Sequence, residues 1–260
     1  LGPQGSPPVI SRVADHCFWF GRYVERAEST ARLLATTHNL ALDAELEPSQ
    51  CWRPVVVVAG EEDRYRARLE ESGLDDAAWG DGERIERFLT WDEDSVSIRR
   101  SVGAARWNAR QIREVVSLEA WEAINELHLW MRGDGAQEQW RAHRHDMYKR
   151  VRSSTQLCLG LLRSTMLHDE PLDFIWLGVL LERVSQYLNG SIFIARIQDD
   201  AGLFETQAAA IGDAIHQRNG VLQKCGDVFT VIQLAIHREQ RPRHDVAPIL
   251  RQVQRRDQTD

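Results

Sequence analysis

The sequence predicts an all-α protein, a multi-helix bundle of long antiparallel helices with short connections. Apolar residues recur at steps of three and four along most of the chain, which is the spacing of one helix face. Only one short run favours a strand, and an eight-residue pattern, W-x-G-x-x-x-E-R, occurs twice. Long helices joined by short loops are typical of bundles.

The first helix has the most regular apolar pattern of the chain. Pro7 and Pro8 suit its first turn, and Pro48 bounds the loop after it. Its apolar residues extend over about twenty positions without interruption: Val13, Cys17, Phe20, Val24, Ala27, Ala31 and Leu34. This pattern predicts a helix that packs against a partner helix along one face.

The run CWRPVVVVAG, residues 51–60, has two interpretations. Its four consecutive valines favour a strand by propensity. However, no second strand-like run is present to pair with it, and an isolated strand is not stable. We therefore predict a short buried helix that begins at Pro54. Residues 73–82 are rich in glycine and aspartate and predict a loop.

Helix-capping residues predict the boundaries of the two middle helices. Asp92 or Asp94 is the expected N-cap of a helix whose apolar positions extend to Val116. Ser117 is the expected N-cap of the next helix, which continues to Met131.

Helices are also predicted for the second half of the chain. The sequence Gly-Asp-Gly at 133–135 should break the chain before a helix over about 138–166. The sequence His-Asp-Glu-Pro at 168–171 predicts the start of a helix that extends to about Arg196. At least one more helix is expected over 206–237.

Composition and charge are those of a soluble globular protein. Of 260 residues, 43% are hydrophobic and 27% are charged, which is ordinary for a globular domain. The net charge of −7 argues against general affinity for nucleic acid or anionic membranes. We expect a flexible leader at 1–8, a single helical domain at 9–238 and a frayed or partly helical tail at 239–260.

The cysteines indicate a reducing compartment. They are scattered and include no C-x-x-C pair: Cys17, Cys51, Cys158 and Cys225. This spacing predicts buried thiols rather than a disulfide framework or a zinc site. No apolar run reaches the ~18 residues of a membrane span. The expected location is therefore the cytoplasm.

The two copies of the repeat, WFGRYVER at 19–26 and WLGVLLER at 176–183, lie 157 positions apart. Helical geometry places four residues of the first copy and its continuation on one stripe beside the apolar face: Gly21, Glu25, Glu28 and Arg32. The same stripe after the second tryptophan consists of Gly178, Glu182, Ser185 and Asn189. The first copy therefore has the more complete set of charges, and half-buried charges need partners.

The middle helices contain further charged faces. Arginines share one helix face at 106, 110 and 113, and glutamates share another at 119, 122 and 126, beside Asn125. Charge pairs along exposed helix surfaces explain such patterns without a site. Asn125 and Glu126 flank an apolar face, so they remain candidates for binding.

These motifs resemble the alpha-E domain family, a bacterial all-helical family. The resemblance rests on three segments in the expected order: SRVADHCFWFGRYVERAESTARLL (11–34), SIRRSVGAARWNARQIREVVSLEAWEAINELHLW (97–130) and STMLHDEPLDFIWLGVLLERV (164–184). The family pattern falls on Arg22, Glu25, Arg26, Glu28, Arg32, Asn108, Arg110, Arg113, Glu119, Trp121, Asn125, Glu126, Asp169, Glu170, Gly178, Glu182 and Arg183. The chain departs from it at Trp107, where a glutamate is usual, and at Val179, Ser185 and Asn189.

The resemblance implies a domain that is encoded beside, or fused to, a circularly permuted ATP-grasp protein. Transglutaminase-like proteins and a proteasome-like peptidase are further implied partners, and assistance in amide or peptide bond formation is the implied role. ATP and magnesium are then expected only on the ATP-grasp partner. In agreement with this, the chain has neither a G-x-x-x-x-G-K-[ST] nor a G-x-G-x-x-G motif.

Three functions remain open at this point. The first is an accessory domain that binds an amino acid, a peptide or the ligase itself through a cleft of arginines and glutamates. The second is a structural scaffold in which Glu-Arg pairs fix helix register. The third is an autonomous carboxylate-based enzyme, although its E-x-x-E pairs lack the histidines of dimetal bundles. No metal ligand or catalytic residue is assigned. The predicted binding cleft contains Arg22, Glu25, Glu28, Arg32, Arg110, Asn125, Glu126, Asp169, Glu170, Glu182 and Arg183.

Overall fold

The computed structural model describes residues 8–43, 47–167 and 169–200, and the fold is reported for these. They form nine α-helices and one short 3-10 helix, with no strand among them, which confirms the all-α prediction. The helices are α1 (Pro8–Asp43), α2 (Pro48–Val58), α3 (Glu62–Glu71), α4 (Gly82–Trp91), α5 (Ile98–Gln111), α6 (Leu118–Arg132), α7 (Asp134–Ala142), α8 (Arg144–Thr165) and α9 (Glu170–Asp200). The 3-10 helix (Asp76–Gly80) lies between α3 and α4.

Helix α1 is the centre of the bundle, and α5, α8 and α9 pack around it. The predicted apolar face of α1 is fully buried from Cys17 to Leu34, which confirms that this face lies in the core of the protein. None of the helices within the described residues is both long and apolar enough to cross a membrane.

Helix α2 confirms that residues 51–58 are helical, but its predicted start is wrong. The helix begins at Pro48, and Pro54 lies inside it. Proline at the first helical position costs no hydrogen bond, because that N–H has no partner within the helix. Cys51, Val55 and Val56 are buried, so packing outweighs the strand propensity of valine.

Helix α5 begins later and ends earlier than predicted. Its N-cap is Ser97, whose hydroxyl accepts a hydrogen bond from the backbone N–H of Arg100. Asp92 instead accepts hydrogen bonds from the backbone N–H groups of Asp94 and Ser95 in the preceding turn. The predicted N-cap of α6, Ser117, is confirmed by its bond from the N–H of Ala120.

The helix predicted over 138–166 is two helices. The break predicted at Gly-Asp-Gly is confirmed at Gly133, which separates α6 from α7. However, α7 begins directly afterwards at Asp134, and a second break at His143 separates it from α8. The predicted start of α9 near 168–171 is confirmed at Glu170. The sequence analysis missed α3 and α4. The predicted helix over 206–237, the leader and the tail lie outside the described residues, except for Pro8 in α1.

The direction of neighbouring helices differs between two pairs. Helices α5 and α6 are antiparallel, because Arg106 bonds Asn125 while Gly103 faces His128. Helices α1 and α9 are parallel, since their contacts keep a nearly constant sequence offset, as in Glu25–Arg183. The antiparallel arrangement expected of the bundle therefore does not extend to the pair that carries the repeat. More than 120 intervening residues give the chain room to return to the same end of the bundle.

Candidate functional site

The two repeats meet where α1 and α9 cross. A Cβ atom at Gly21 would overlap the carbonyl oxygen of Ile175, and one at Gly178 would overlap the carbonyl oxygen of Phe18. The two contacts are equivalent, because each glycine faces the residue three positions before the other glycine. The repeat therefore builds a parallel helix pair with local two-fold symmetry, in which only glycine allows the backbones to approach.

One turn further along, the two Glu-Arg pairs exchange partners. Arg183 donates two hydrogen bonds to Glu25, from Nε to Oε1 at 2.8 Å and from Nη2 to Oε2 at 2.9 Å. Arg26 donates both from Nε and from Nη2 to Glu182, the latter at 2.9 Å. Each glutamate therefore binds the arginine of the other copy in a fork geometry, which fixes the register of α1 against α9.

The Glu182 carboxylate has a second arginine partner. Arg22 donates to its Oε2 from Nε at 3.0 Å and from Nη2 at 2.8 Å. Burial alone would raise the pKa of Glu182, but the guanidiniums of Arg26 and Arg22 outweigh burial and hold that pKa below its ordinary value. Glu182 is therefore an ionised carboxylate surrounded by donors, and a poor candidate for a general base at neutral pH.

The third carboxylate, Glu28, connects α1 to α8. It accepts hydrogen bonds from Arg32 at 2.8 Å and from Gln156 at 3.0 Å, and Arg152 lies 3.9 Å away. Arg32 also lies 3.8 Å from Glu25, so the charges form one continuous cluster.

The second repeat has no counterpart to this extension. Ser185 donates to the carbonyl of Leu181 in its own helix, and Asn189 donates to the carbonyl of Val58. The prediction that the two copies are chemically unequal is therefore confirmed.

We call this group the Glu-Arg cluster: Arg22, Glu25, Arg26, Glu28, Arg32, Arg152, Glu182 and Arg183. Its three carboxylates are buried, at 0 to 3% exposed, and five guanidiniums surround them. The side chains of Arg32, Arg152 and Arg183 are 49%, 37% and 52% exposed. The cluster therefore has buried anions and a solvent-facing rim of arginines.

Six of the eleven residues predicted for the cleft lie in this cluster: Arg22, Glu25, Glu28, Arg32, Glu182 and Arg183. The other five do not join it. Asn125 accepts a hydrogen bond from Arg106 at 2.7 Å between α5 and α6, and Arg110 and Glu126 are exposed on the same helix pair. Asp169 and Glu170 are exposed at the start of α9. Residue types alone do not indicate which helix faces meet, so one predicted cleft corresponds to separate surfaces.

Several residues in and around the cluster are not predicted from the sequence. Arg152 and Gln156 are four positions apart on α8 and both face Glu28, a spacing that indicates one helix face but no partner. Ser29 accepts a hydrogen bond from Gln186 at 2.6 Å, and these positions are also 157 apart. Extending the alignment of the repeat beyond Arg26 would have found this pair.

A second buried polar network was also missed. The Glu86 carboxylate of α4 is fully buried and accepts hydrogen bonds from Arg144 at 2.6 Å and from Tyr148 at 3.3 Å, while His38 lies 3.4 Å away. Burial raises the pKa of Glu86, and Arg144 and His38 partly oppose that rise. The network joins α1, α4 and α8 in the core, where such bonds fix packing.

Thiol and metal chemistry have little support within the described residues. Burial raises the pKa of Cys17 and of Cys158 to about 12, so neither thiol ionises at neutral pH. No group of three or more histidine, cysteine, aspartate or glutamate side chains in the described part of the chain could hold a metal ion.

The comparisons agree with the repeat geometry. No curated protein and no solved structure matches the chain. The family model Alpha-E, described as a predicted alpha-helical domain with a conserved ER motif, matches residues 9–217. Both copies of the repeat contain this dipeptide, at Glu25-Arg26 and Glu182-Arg183. Because the match covers most of the 260 residues, the chain belongs to the alpha-E family.

Proposed function

We propose that the chain is a non-catalytic accessory domain of an ATP-grasp amide ligase, and that it binds the carboxylate of an amino acid or peptide substrate. The observation that carries this proposal is the solvent-facing rim of the Glu-Arg cluster. The side chains of Arg32, Arg152 and Arg183 are 49%, 37% and 52% exposed there, so these guanidiniums lie at the solvent edge of the buried carboxylates. Arginine pairs a carboxylate through two parallel hydrogen bonds, so an additional anion is the ligand that suits this surface.

The geometry favours binding over catalysis. Each carboxylate of the cluster already faces at least two guanidiniums. A base that must accept a proton works best with a pKa near the operating pH, and the pKa of Glu182 is shifted in the opposite direction. The chemical step is therefore assigned to the partner enzyme, which activates a carboxylate as an acyl phosphate that an amine then attacks.

The test uses the purified chain, a circularly permuted ATP-grasp protein as the proposed partner, and candidate amino acids. Complex formation is measured by size-exclusion chromatography, and ligase turnover is measured as ADP release. Addition of the chain should raise turnover, and Arg32→Ala should reduce that effect at least about tenfold, the change expected when one charge-assisted bond is lost.

Arg66→Ala is the matched control. Arg66 also pairs with a glutamate four positions earlier, and its side chain is 48% exposed against 49% for Arg32. The accessory function is refuted if the chain neither binds the ligase nor alters its turnover. It is also refuted if Arg66→Ala and Arg32→Ala have equal effects, because the rim would then have no special role.

A structural scaffold is the second candidate, and the reciprocal Glu25–Arg183 and Arg26–Glu182 pairs favour it for these four residues. In that case Glu25→Gln lowers the thermal midpoint and ligase stimulation together, whereas Arg32→Ala changes neither. Loss of stimulation by Arg32→Ala at an unchanged thermal midpoint would reject a purely structural role.

A further inference from the structure

The outer side of α5 and α6 forms a second charged surface, which we call the cationic seam. It consists of Arg99, Gly103, Arg106 and Arg110 on α5 and Trp121, Asn125, His128 and Arg132 on α6. These positions advance in steps of three and four on each helix, so each set lies along one face. The adjacent faces, with Val102, Ala105, Ile124 and Leu127, are buried in the core.

The antiparallel register pairs the two faces residue by residue. Arg106 donates from Nε to Asn125 at 2.7 Å, and a Cβ atom at Gly103 would lie 3.8 Å from the imidazole of His128. Continued by one turn in each direction, the same register places Arg99 opposite Arg132 and Arg110 opposite Trp121. Like charges therefore face each other across the seam, with a glycine and a histidine between them.

The arginines of the seam differ from those of the Glu-Arg cluster, which pair with buried carboxylates. Within the described residues, Arg106, Arg110 and Arg132 form no ion pair, and Arg99 has only the exposed Glu93 at 3.4 Å. The glutamates of α6 at 119, 122 and 126 are exposed and lie on a different face of the helix.

The pKa of His128, which lies within the seam, is affected by the same excess of positive charge. Burial lowers its pKa, and the guanidiniums of Arg106, Arg132 and Arg99 lower it further. Unneutralised like charges at one place destabilise a fold unless a ligand of opposite charge compensates them.

We propose that the cationic seam binds a phosphate-bearing small molecule, with Arg99, Arg106 and Arg132 donating to the phosphate oxygens beside His128. A phosphate group has more than one negative charge and several acceptor oxygens, so it suits converging guanidiniums better than a single carboxylate does. A Cβ atom at Gly103 would be in van der Waals contact with the imidazole, so the two helices pack closely here, and Asn125 holds the guanidinium of Arg106 in place. This site is separate from the Glu-Arg cluster and does not depend on the proposed accessory function.

The experiment measures binding of inorganic pyrophosphate to the full chain by isothermal titration calorimetry, with phosphate, ATP and succinate as further probes. We expect pyrophosphate to bind and succinate to bind at least about tenfold more weakly, because charge-assisted bonds to the additional oxygens are lost. ATP binding tighter than pyrophosphate would identify a nucleotide as the source of the phosphate, and equal binding would identify the polyphosphate group alone. Absence of pyrophosphate binding, or equal binding of succinate, overturns the proposal.

The test variants are Arg132→Glu and Arg132→Gln. Arg132 is exposed at the end of α6, so both variants should fold, and removal of the repulsion with Arg99 should preserve or raise the thermal midpoint. Each should weaken pyrophosphate binding at least about tenfold. The matched control is Arg163→Ala, since Arg163 is likewise an exposed arginine in the last turn of a helix, α8, but lies outside the seam. Binding that survives both Arg132 variants, or that Arg163→Ala weakens equally, contradicts a specific site.

Discussion

Replacement of Gly178 by alanine tests the close contact between α1 and α9. In a helix interior, alanine is favoured over glycine by about 1 kcal/mol, so helix propensity alone predicts stabilisation. However, the new Cβ atom would overlap the backbone of Phe18, and a backbone carbonyl cannot rotate away as a side chain can. The two helices must separate, which costs about 1–3 kcal/mol or more for overpacked contacts.

The ion pairs one turn away increase this cost. Separation of the helices lengthens the Glu25–Arg183 and Arg26–Glu182 ion pairs, whose carboxylates are buried. We therefore expect Gly178→Ala to lower the free energy of unfolding by about 2 kcal/mol, which is the upper end of the overpacking cost less the gain in propensity. The measurement is urea denaturation, monitored by the helical circular dichroism signal at 222 nm.

Gly160→Ala is the matched control. Gly160 also lies inside a long helix, α8, but a Cβ atom there would meet nothing within 4 Å. This variant should raise the free energy of unfolding by about 0.5–1 kcal/mol. If Gly178→Ala stabilises the protein as much as Gly160→Ala does, α1 and α9 do not meet backbone to backbone.

Three further outcomes follow from burial and charge. Glu182→Gln leaves Arg22 and Arg26 without their shared carboxylate, and urea denaturation at pH 7 should show a loss of about 3–5 kcal/mol; an unchanged midpoint would mean that the charges are solvated. Because the folded-state pKa of Glu182 is depressed, its stabilisation is complete above the unfolded pKa of about 4.3 and is lost as pH falls through the folded pKa. Denaturation series from pH 7 to pH 2 should therefore bring wild type and Glu182→Gln together at the acidic end, and a constant gap would contradict the shift. Cys17 and Cys158 should resist iodoacetamide at neutral pH until the protein unfolds, as measured by peptide mass spectrometry, since burial raises both pKa values to about 12; rapid labelling of the native protein would show that these thiols are accessible.

The long helices could be predicted because their patterns are local. The spacing from Cys17 to Leu34 is sufficient to define the buried face of α1, and the hydroxyl of Ser117 defines the start of α6. The helix boundaries that were predicted wrongly depended on competition between neighbouring residues. Asp92, Asp94 and Ser97 are all suitable N-caps, and only the fold selects the serine.

The candidate sites were less accessible to prediction because they depend on which faces meet. Gly21 and Glu25 could be placed on one stripe, but their partners lie more than 150 positions away. Arg110 belongs by residue type with the cluster arginines, yet the structure places it on the α5–α6 pair. The repeat was the one long-range signal in the sequence. Its constant offset of 157 positions matches the parallel register in which α1 and α9 pack.

This offset has a consequence for synthesis on the ribosome. The buried glutamate of α1 cannot meet its arginine until residue 183 has been translated and has left the exit tunnel. At about 5–20 residues per second, the wait after Arg26 is on the order of 8–31 s. During that time Glu28 can pair with Arg32 within the first helix, but Glu25 lacks its partner on α9 and must be covered by solvent or a chaperone. The contact between α1 and α9 therefore forms late, only after the second repeat has been synthesised.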